Sequence, residues 1–107
     1  MSYRIEITPD FEAEARHLVK KYASLKNEIA ILIASLVESP RQGKPLGRDC
    51  FKIRISIASK VKGKSGGGRI ITCVKVKNEI VYLLTIYDKS EQEDISEKQL
   101  KHLLGQI

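Results

Sequence analysis

The alternation of apolar and polar positions divides the chain into seven elements. Residues 3–7 (Tyr-Arg-Ile-Glu-Ile) alternate with period two, as a half-buried strand does. Thr8-Pro9 then reads as a helix start: the threonine caps, and the proline sits where its missing N–H costs nothing. Phe11, Ala15, Leu18, Val19 and Tyr22 recur at helical spacing, leaving Glu12, Glu14, Arg16 and Lys20 outward. Ser24 is placed to cap a second helix with the stripe Leu25, Ile29, Leu32, Ile33 and Leu36, limited by Pro40. Such a helical hairpin has to bury its two stripes against another layer.

A sheet supplies that layer. Phe51, Ile53, Ile55 and Ile57 alternate with Lys52, Arg54 and Ser56, giving one strand an apolar face and a basic one. Residues 69–76 and 80–87 are two more strand-like runs, joined at Asn78-Glu79 closely enough for an antiparallel hairpin. Residues 96–104 form a last helix with Leu100, Leu103 and Leu104 as its contacts. The expected order is β-α-α-β-β-β-α. That is an α+β fold, with an N-terminal strand and helical hairpin on a small, mainly antiparallel sheet and a C-terminal helix. Residues 1–107 are expected to form a single domain.

Charge changes the picture more than composition does. The chain has 107 residues, 42% of them hydrophobic, and a net charge of +6. Residues 41–77 hold eleven basic side chains against Asp49 alone, whereas the rest of the chain is net acidic. Like charges gathered this way cost folding free energy but focus an attractive field on a polyanion. Nucleic acid or an acidic protein segment is therefore the expected partner. No apolar run reaches a membrane span and no secretory leader precedes Ile5, so a soluble cytoplasmic protein with no membrane partner is expected. Cys50 and Cys73 fall in apolar strands and read as buried free thiols.

Several chemistries lack their residues. Gly63-Lys64-Ser65 suggests a phosphate-binding loop, but Ala58 stands where that motif needs glycine, and a strand follows instead of a helix. His17 and His102 have no neighbouring metal-ligand cluster in sequence, so neither a metal nor a small-molecule cofactor is expected. No nucleophile elbow or Ser-x-x-Lys signature is present.

What remains is the stretch from Lys52 to Lys89. Lys52 and Arg54 leave one face of a strand. Lys60, Lys62 and Lys64 lie in a loop ending in three glycines, Arg69 opens the next strand, and Tyr87 and Lys89 close the third. If the three strands are adjacent, the basic side chains and a phenol converge on phosphate chemistry. RNA can be cut without a metal: the 2′-hydroxyl attacks the adjacent phosphorus, and cations stabilise the charge that develops on the phosphoryl oxygens. Asp88 reads either as an active-site carboxylate or, more simply, as a solvent-facing turn residue.

Three segments together carry a resemblance: Phe51-Lys52-Ile53-Arg54, then Lys62-Gly63-Lys64-Ser65-Gly66-Gly67-Gly68-Arg69-Ile70-Ile71, then Leu83-Leu84-Thr85-Ile86-Tyr87-Asp88-Lys89-Ser90-Glu91. They resemble the RelE/ParE toxin superfamily over nearly the whole chain, and look closest to its HigB-like branch. The resemblance implies a microbial-RNase-like fold, a small antitoxin partner, and mRNA cleavage in the A site of the 30S ribosomal subunit. It implies Arg69 as the arginine of the transition state, and Arg54 and Lys52 as phosphate contacts. Lys60, Lys62 and Lys64 would anchor backbone, with Lys64 a candidate for proton transfer. Tyr87 would stack on a base or orient the 2′-hydroxyl, and Lys89 would add positive field. The rival readings are a gyrase-inhibiting toxin of the same superfamily and a nonenzymatic nucleic-acid-binding module.

Overall fold

A computed structural model describes residues 2–60 and 66–107. The elements run β1 (Arg4–Ile7), α1 (Pro9–Lys21), α2 (Leu25–Glu38), β2 (Lys44–Gly47), β3 (Cys50–Ile55), β4 (Gly68–Lys75), β5 (Ile80–Asp88) and α3 (Glu97–Leu104), with a 3-10 turn (Val76–Asn78) between β4 and β5. The sheet order is β1-β5-β4-β3-β2. Among the described residues only β1–β5 is parallel; the other pairings are antiparallel. This is the expected α+β architecture, with β2 added.

The helix starts differ in how they are made. Thr8 accepts a hydrogen bond from the Phe11 amide and precedes Pro9, as its sequence suggests. Its hydroxyl hydrogen reaches the carbonyls of Leu83 (3.0 Å) and Leu84 (3.1 Å), tying α1 to the middle of β5. Ser24 stands at the cap position of α2, but its side chain makes no capping bond. The hydroxyl is engaged instead with Glu28 and Ser59, at 3.0 and 2.9 Å. The Glu28 carboxylate also accepts from the Ala58 amide, so the start of α2 anchors the chain leaving β3.

The core lies on both faces of the sheet. On one face Phe11, Leu18, Leu25, Ile29 and Leu36 of the hairpin pack against Ile53, Ile55, Ile70, Val74, Val81, Leu83 and Ile86. On the other, Leu100 and Leu103 of α3 cover Cys50, Ile71, Cys73, Leu84 and Tyr87. Between Ile71 and Thr72 the β4–β5 register slips by one residue of β5. The extra residue is Leu84, which joins the α3 side while Leu83 stays with the hairpin. A bulge of this kind re-aims side chains along the rest of a strand.

β2 carries no apolar alternation and contains Pro45, so its pattern does not announce a strand. Pairing with β3 makes it one: Lys44 lies opposite Lys52 and Pro45 opposite Phe51. The connecting turn holds Arg48 (φ 58°) and Asp49 (φ 63°) in the left-handed region, the geometry of a tight hairpin turn. The Asp49 carbonyl is held there by the Val74 amide at 2.9 Å.

Candidate active site

Register brings the basic residues together. Arg54 lies opposite Arg69, and Arg69 opposite Tyr87, so one row crosses β3, β4 and β5 on a single face. Lys52, two residues from Arg54, is on that face, and Lys44 faces it from β2. The result is a cleft of about 370 Å³ lined by Gly43, Lys44, Lys52, Arg54, Arg69 and Lys89. Five of these six residues are cations and none is acidic. Such a surface concentrates positive potential in a concave space, where low-dielectric walls strengthen its pull on an anion.

The cations are not equivalent. Arg54 is exposed. Arg69 is 9% exposed, and its Nη1 donates to the carbonyls of Gly66 (2.9 Å) and Gly68 (3.0 Å). The rest of its guanidinium has no partner among the described residues. Glycine is required beside it for a steric reason. Gly67 has φ +68°, and a Cβ there would stand 2.3 Å from the Ile55 carbonyl oxygen. The glycine run thus lets the chain pass close to β3 while its carbonyls orient Arg69. Lys52 is mostly covered and donates to Asp94 at 2.9 Å; this bond holds the Asp94 carboxyl below its usual range.

Tyr87 differs from what base stacking requires. It is 6% exposed, and its ring belongs to the apolar cluster with Leu100 and Leu103. Its hydroxyl is buried without a hydrogen-bond partner among the described residues. Burial pushes its pKa up, Asp94 adds to the rise, and Arg69 opposes it. The phenol is therefore protonated at neutral pH, a donor and not a base.

Lys60 is positioned by a carboxylate. Its Nζ lies 2.9 Å from Asp88, with the lysine side chain 10% and the aspartate side chain 0% exposed. Asp88 also accepts from the Tyr22 hydroxyl (2.5 Å) and from the Ser90 amide (3.0 Å) and hydroxyl (2.7 Å). The turn reading of Asp88 is thus corrected: it is a buried junction between α1, the end of β5 and the chain beyond β3. Burial alone would raise its pKa, but the bonds from Tyr22, Lys60 and Ser90 outweigh that and hold it well below the carboxylate range. Lys62 and Lys64 lie outside the described residues.

Sequence reasoning missed Lys44, Asp94 and the Asp88–Tyr22 bond. Lys44 gave no signal, because only the β2–β3 register sets it opposite Lys52. The acidic run after β5 was a visible signal. It turns back along the basic elements, pairing Glu91 with Lys21 (2.8 Å), Asp94 with Lys52 (2.9 Å) and Glu97 with Arg48 (2.7 Å). Each such exposed pair contributes only about 0.2–1 kcal/mol. Among the described residues, no group of three or more His, Cys, Asp and Glu could hold a metal ion.

A family model for the RelE toxin of the RelE/RelB toxin–antitoxin system matches residues 4–105. The chain belongs to the RelE toxin family. Solved RelE structures share its fold. A free double arginine-to-alanine mutant of the E. coli toxin RelE superposes with a TM-score of 0.69 at 21% identity, covering 95% of this chain and 98% of that one. A chain of the intact E. coli RelBE toxin–antitoxin complex gives 0.63 at 21% identity, covering 81% of this chain and 96% of that one. The RelBE2 toxin–antitoxin complex from Mycobacterium tuberculosis gives 0.61 at 20% identity, covering 82% and 99%. The HigB-like affinity suggested by the motifs is corrected accordingly: the matching model and these structures are of RelE toxins. In this RelE-family chain the cationic cleft lies on the sheet face that carries α3, away from the helical hairpin. No helix among the described residues is long and apolar enough to cross a membrane.

Proposed function

We propose that this RelE-family protein is the toxin of a type II toxin–antitoxin module and acts as a ribosome-dependent mRNA endonuclease in the cytoplasm. The observation that carries this reading is the cleft in which Lys44, Lys52, Arg54, Arg69 and Lys89 converge with no acidic lining residue. A phosphodiester entering it meets cations on several sides. The 2′-hydroxyl attacks the adjacent phosphorus, giving a 2′,3′-cyclic phosphate and a 5′-hydroxyl. Arg69, oriented by its glycine carbonyls, and the exposed Arg54 stabilise the charge on the phosphoryl oxygens; donors of this kind are worth about 10²–10³ in rate. Lys44, Lys52 and Lys89 hold the flanking backbone. The Tyr87 phenol, kept protonated by burial under α3, does not line the cleft and backs Arg69 from the neighbouring strand. Binding in the ribosome would supply the in-line geometry that a single strand lacks in solution. A cognate antitoxin would restrain the activity.

The test is a reconstituted translation reaction with a defined mRNA, mapped by primer extension, using wild type and Arg69→Ala with and without ribosomes. The expected result is discrete cuts with wild type and ribosomes only, reduced about 100-fold by the substitution. Intact mRNA in every lane, from protein shown to be folded, overturns the reading and favours gyrase as the target.

A further inference from the structure

Strand register sets Cys50 of β3 opposite Cys73 of β4. The Val74 amide donates to the Asp49 carbonyl at 2.9 Å, which makes Asp49 and Val74 a hydrogen-bonded pair. The next pair along, Cys50 and Cys73, is therefore a non-hydrogen-bonded one. In that class the Cα atoms approach to about 4.5 Å and the side chains lie closest, within the span that a disulfide bridges. Both side chains leave the sheet on the α3 face, where Leu46, Leu100 and Leu103 pack around them. Both thiols are free, at 1% and 0% exposure. Their sulfurs share one acceptor, the Arg48 carbonyl, at 3.5 Å from Cys50 and 3.9 Å from Cys73.

Two thiols held this way can do more than fill space in the core. The hydrogen bond that the Cys50 thiol gives to the Cys73 sulfur lowers the Cys73 pKa to about 7, against burial and with help from Lys75. The same bond, together with burial, pushes Cys50 up. The pair is thus divided into a nucleophile and a resolving thiol. We infer that Cys50 and Cys73 form a redox site at which a small hydroperoxide converts the two thiols into a cross-strand disulfide. The Cys73 thiolate attacks the peroxide and breaks its O–O bond, becoming a sulfenic acid and releasing hydroxide. The Cys50 sulfur then attacks that of Cys73. The S–S bond forms, and the sulfenic oxygen leaves as water with the Cys50 proton. The thiols lose two electrons and the peroxide gains them. The cover over the site is one short helix, α3 (Glu97–Leu104), tied to the β2–β3 turn by the exposed Arg48–Glu97 pair at 2.7 Å. Openings of that helix admit the oxidant. Sulfurs so covered are out of reach of another chain's thiol, so the bond forms within one chain. The ring it closes holds Lys52, Arg54, Lys60 and Arg69, and oxidation staples together the two strands that carry the arginines of the cleft. This chemistry does not depend on the proposed ribonuclease activity.

The experiment treats the reduced, folded full chain with hydrogen peroxide up to millimolar, then alkylates it under denaturing conditions for peptide mapping by mass. The expected product is a monomer with Cys50 joined to Cys73 and no alkylated thiol, restored to the free thiols by dithiothreitol. Its melting temperature should exceed that of the reduced protein by about 10 °C, because the bond constrains the unfolded chain. Cys50→Ser keeps a donor beside Cys73 but removes the resolving sulfur, so a sulfenic acid should accumulate on Cys73 and be trapped by dimedone. Cys73→Ser should be labelled at least tenfold more slowly. If either variant fails to fold, the wild-type mapping and melting temperatures decide. Two alkylated thiols after millimolar peroxide, or sulfenic acid on both cysteines with no bond between them, overturns the inference. So does a bond between chains, a bond that leaves the melting temperature unchanged, or equal labelling of the two folded variants.

Discussion

The two faces of the sheet come from the same strands but are finished in opposite ways. The hairpin face is closed: the α1 and α2 stripes meet isoleucines, valines and leucines from three strands. The other face is closed only where α3 reaches, and beyond that it opens into the cationic cleft. Burial of apolar surface stabilises the first by roughly 25 cal/mol per Å². The second has gathered like charges whose repulsion works against folding. One face holds the fold together, and the other spends part of that stability on a concentrated field. Between them Lys60 shows that a cation from the same basic stretch can belong to the structural side, because Asp88 meets it in a nearly closed site.

Substitutions on either side should separate the faces. The largest effect is expected for Leu36→Ala, which removes a fully buried side chain from the hairpin face. It should lower unfolding free energy by about 2–5 kcal/mol in urea titrations, without altering the salt dependence of RNA binding. Asp88→Asn should cost about 3 kcal/mol, since it leaves Lys60 opposite a neutral group. The pH dependence follows from the lowered pKa. The stabilisation by Asp88 is fully present above the unfolded carboxylate value near 3.8 and is lost as pH falls through the lower folded value. Wild-type and variant melting curves should therefore converge in acid; an undiminished gap there would contradict the buried ion pair.

On the open face, Arg54→Ala should reduce cleavage about 100-fold in the reconstituted assay, with the melting temperature nearly unchanged. A variant with normal activity would move the chemistry away from the Arg54–Arg69 row. Lys44→Ala should weaken RNA binding several-fold, and the slope of log affinity against log salt should shrink by about one. The smallest effect is expected for Asp94→Asn. Freeing Lys52 should tighten RNA binding a few-fold at low salt, with little change in stability, because exposed pairs contribute about 0.2–1 kcal/mol.

Legibility differed between the elements. β1, α1, α2, β3 and α3 were readable from their apolar periods, and β4 and β5 from continuous apolar runs that are buried on both faces. Pro9, Pro40 and Ser96 marked helix limits within a residue or two. β2 was not readable: Lys44-Pro45-Leu46-Gly47 has neither alternation nor β-branched residues, and partner and register alone make it a strand. For the candidate site, the basic run and Arg69 were visible as residue types in a charged stretch. Whether a lysine there is open or closed was not visible. Lys60 is held by a carboxylate 28 positions away, and Lys52 by one 42 positions away. Tyr87 was singled out as a phenol on the basic face, but its burial follows from Leu100 and Leu103 arriving with α3.

The amino-acid sequence by itself determined the order of all but one element, the apolar stripes that form the core, and the +10 excess within residues 41–77. Those properties are local: periodicity, capping chemistry and residue type act within a turn or a strand. Tertiary structure alone decided which cations share a cleft and which are held by carboxylates. These depend on strand order and register, set by the packing of the whole sheet against its helices, and a shift of one residue would turn Arg54 to the apolar face.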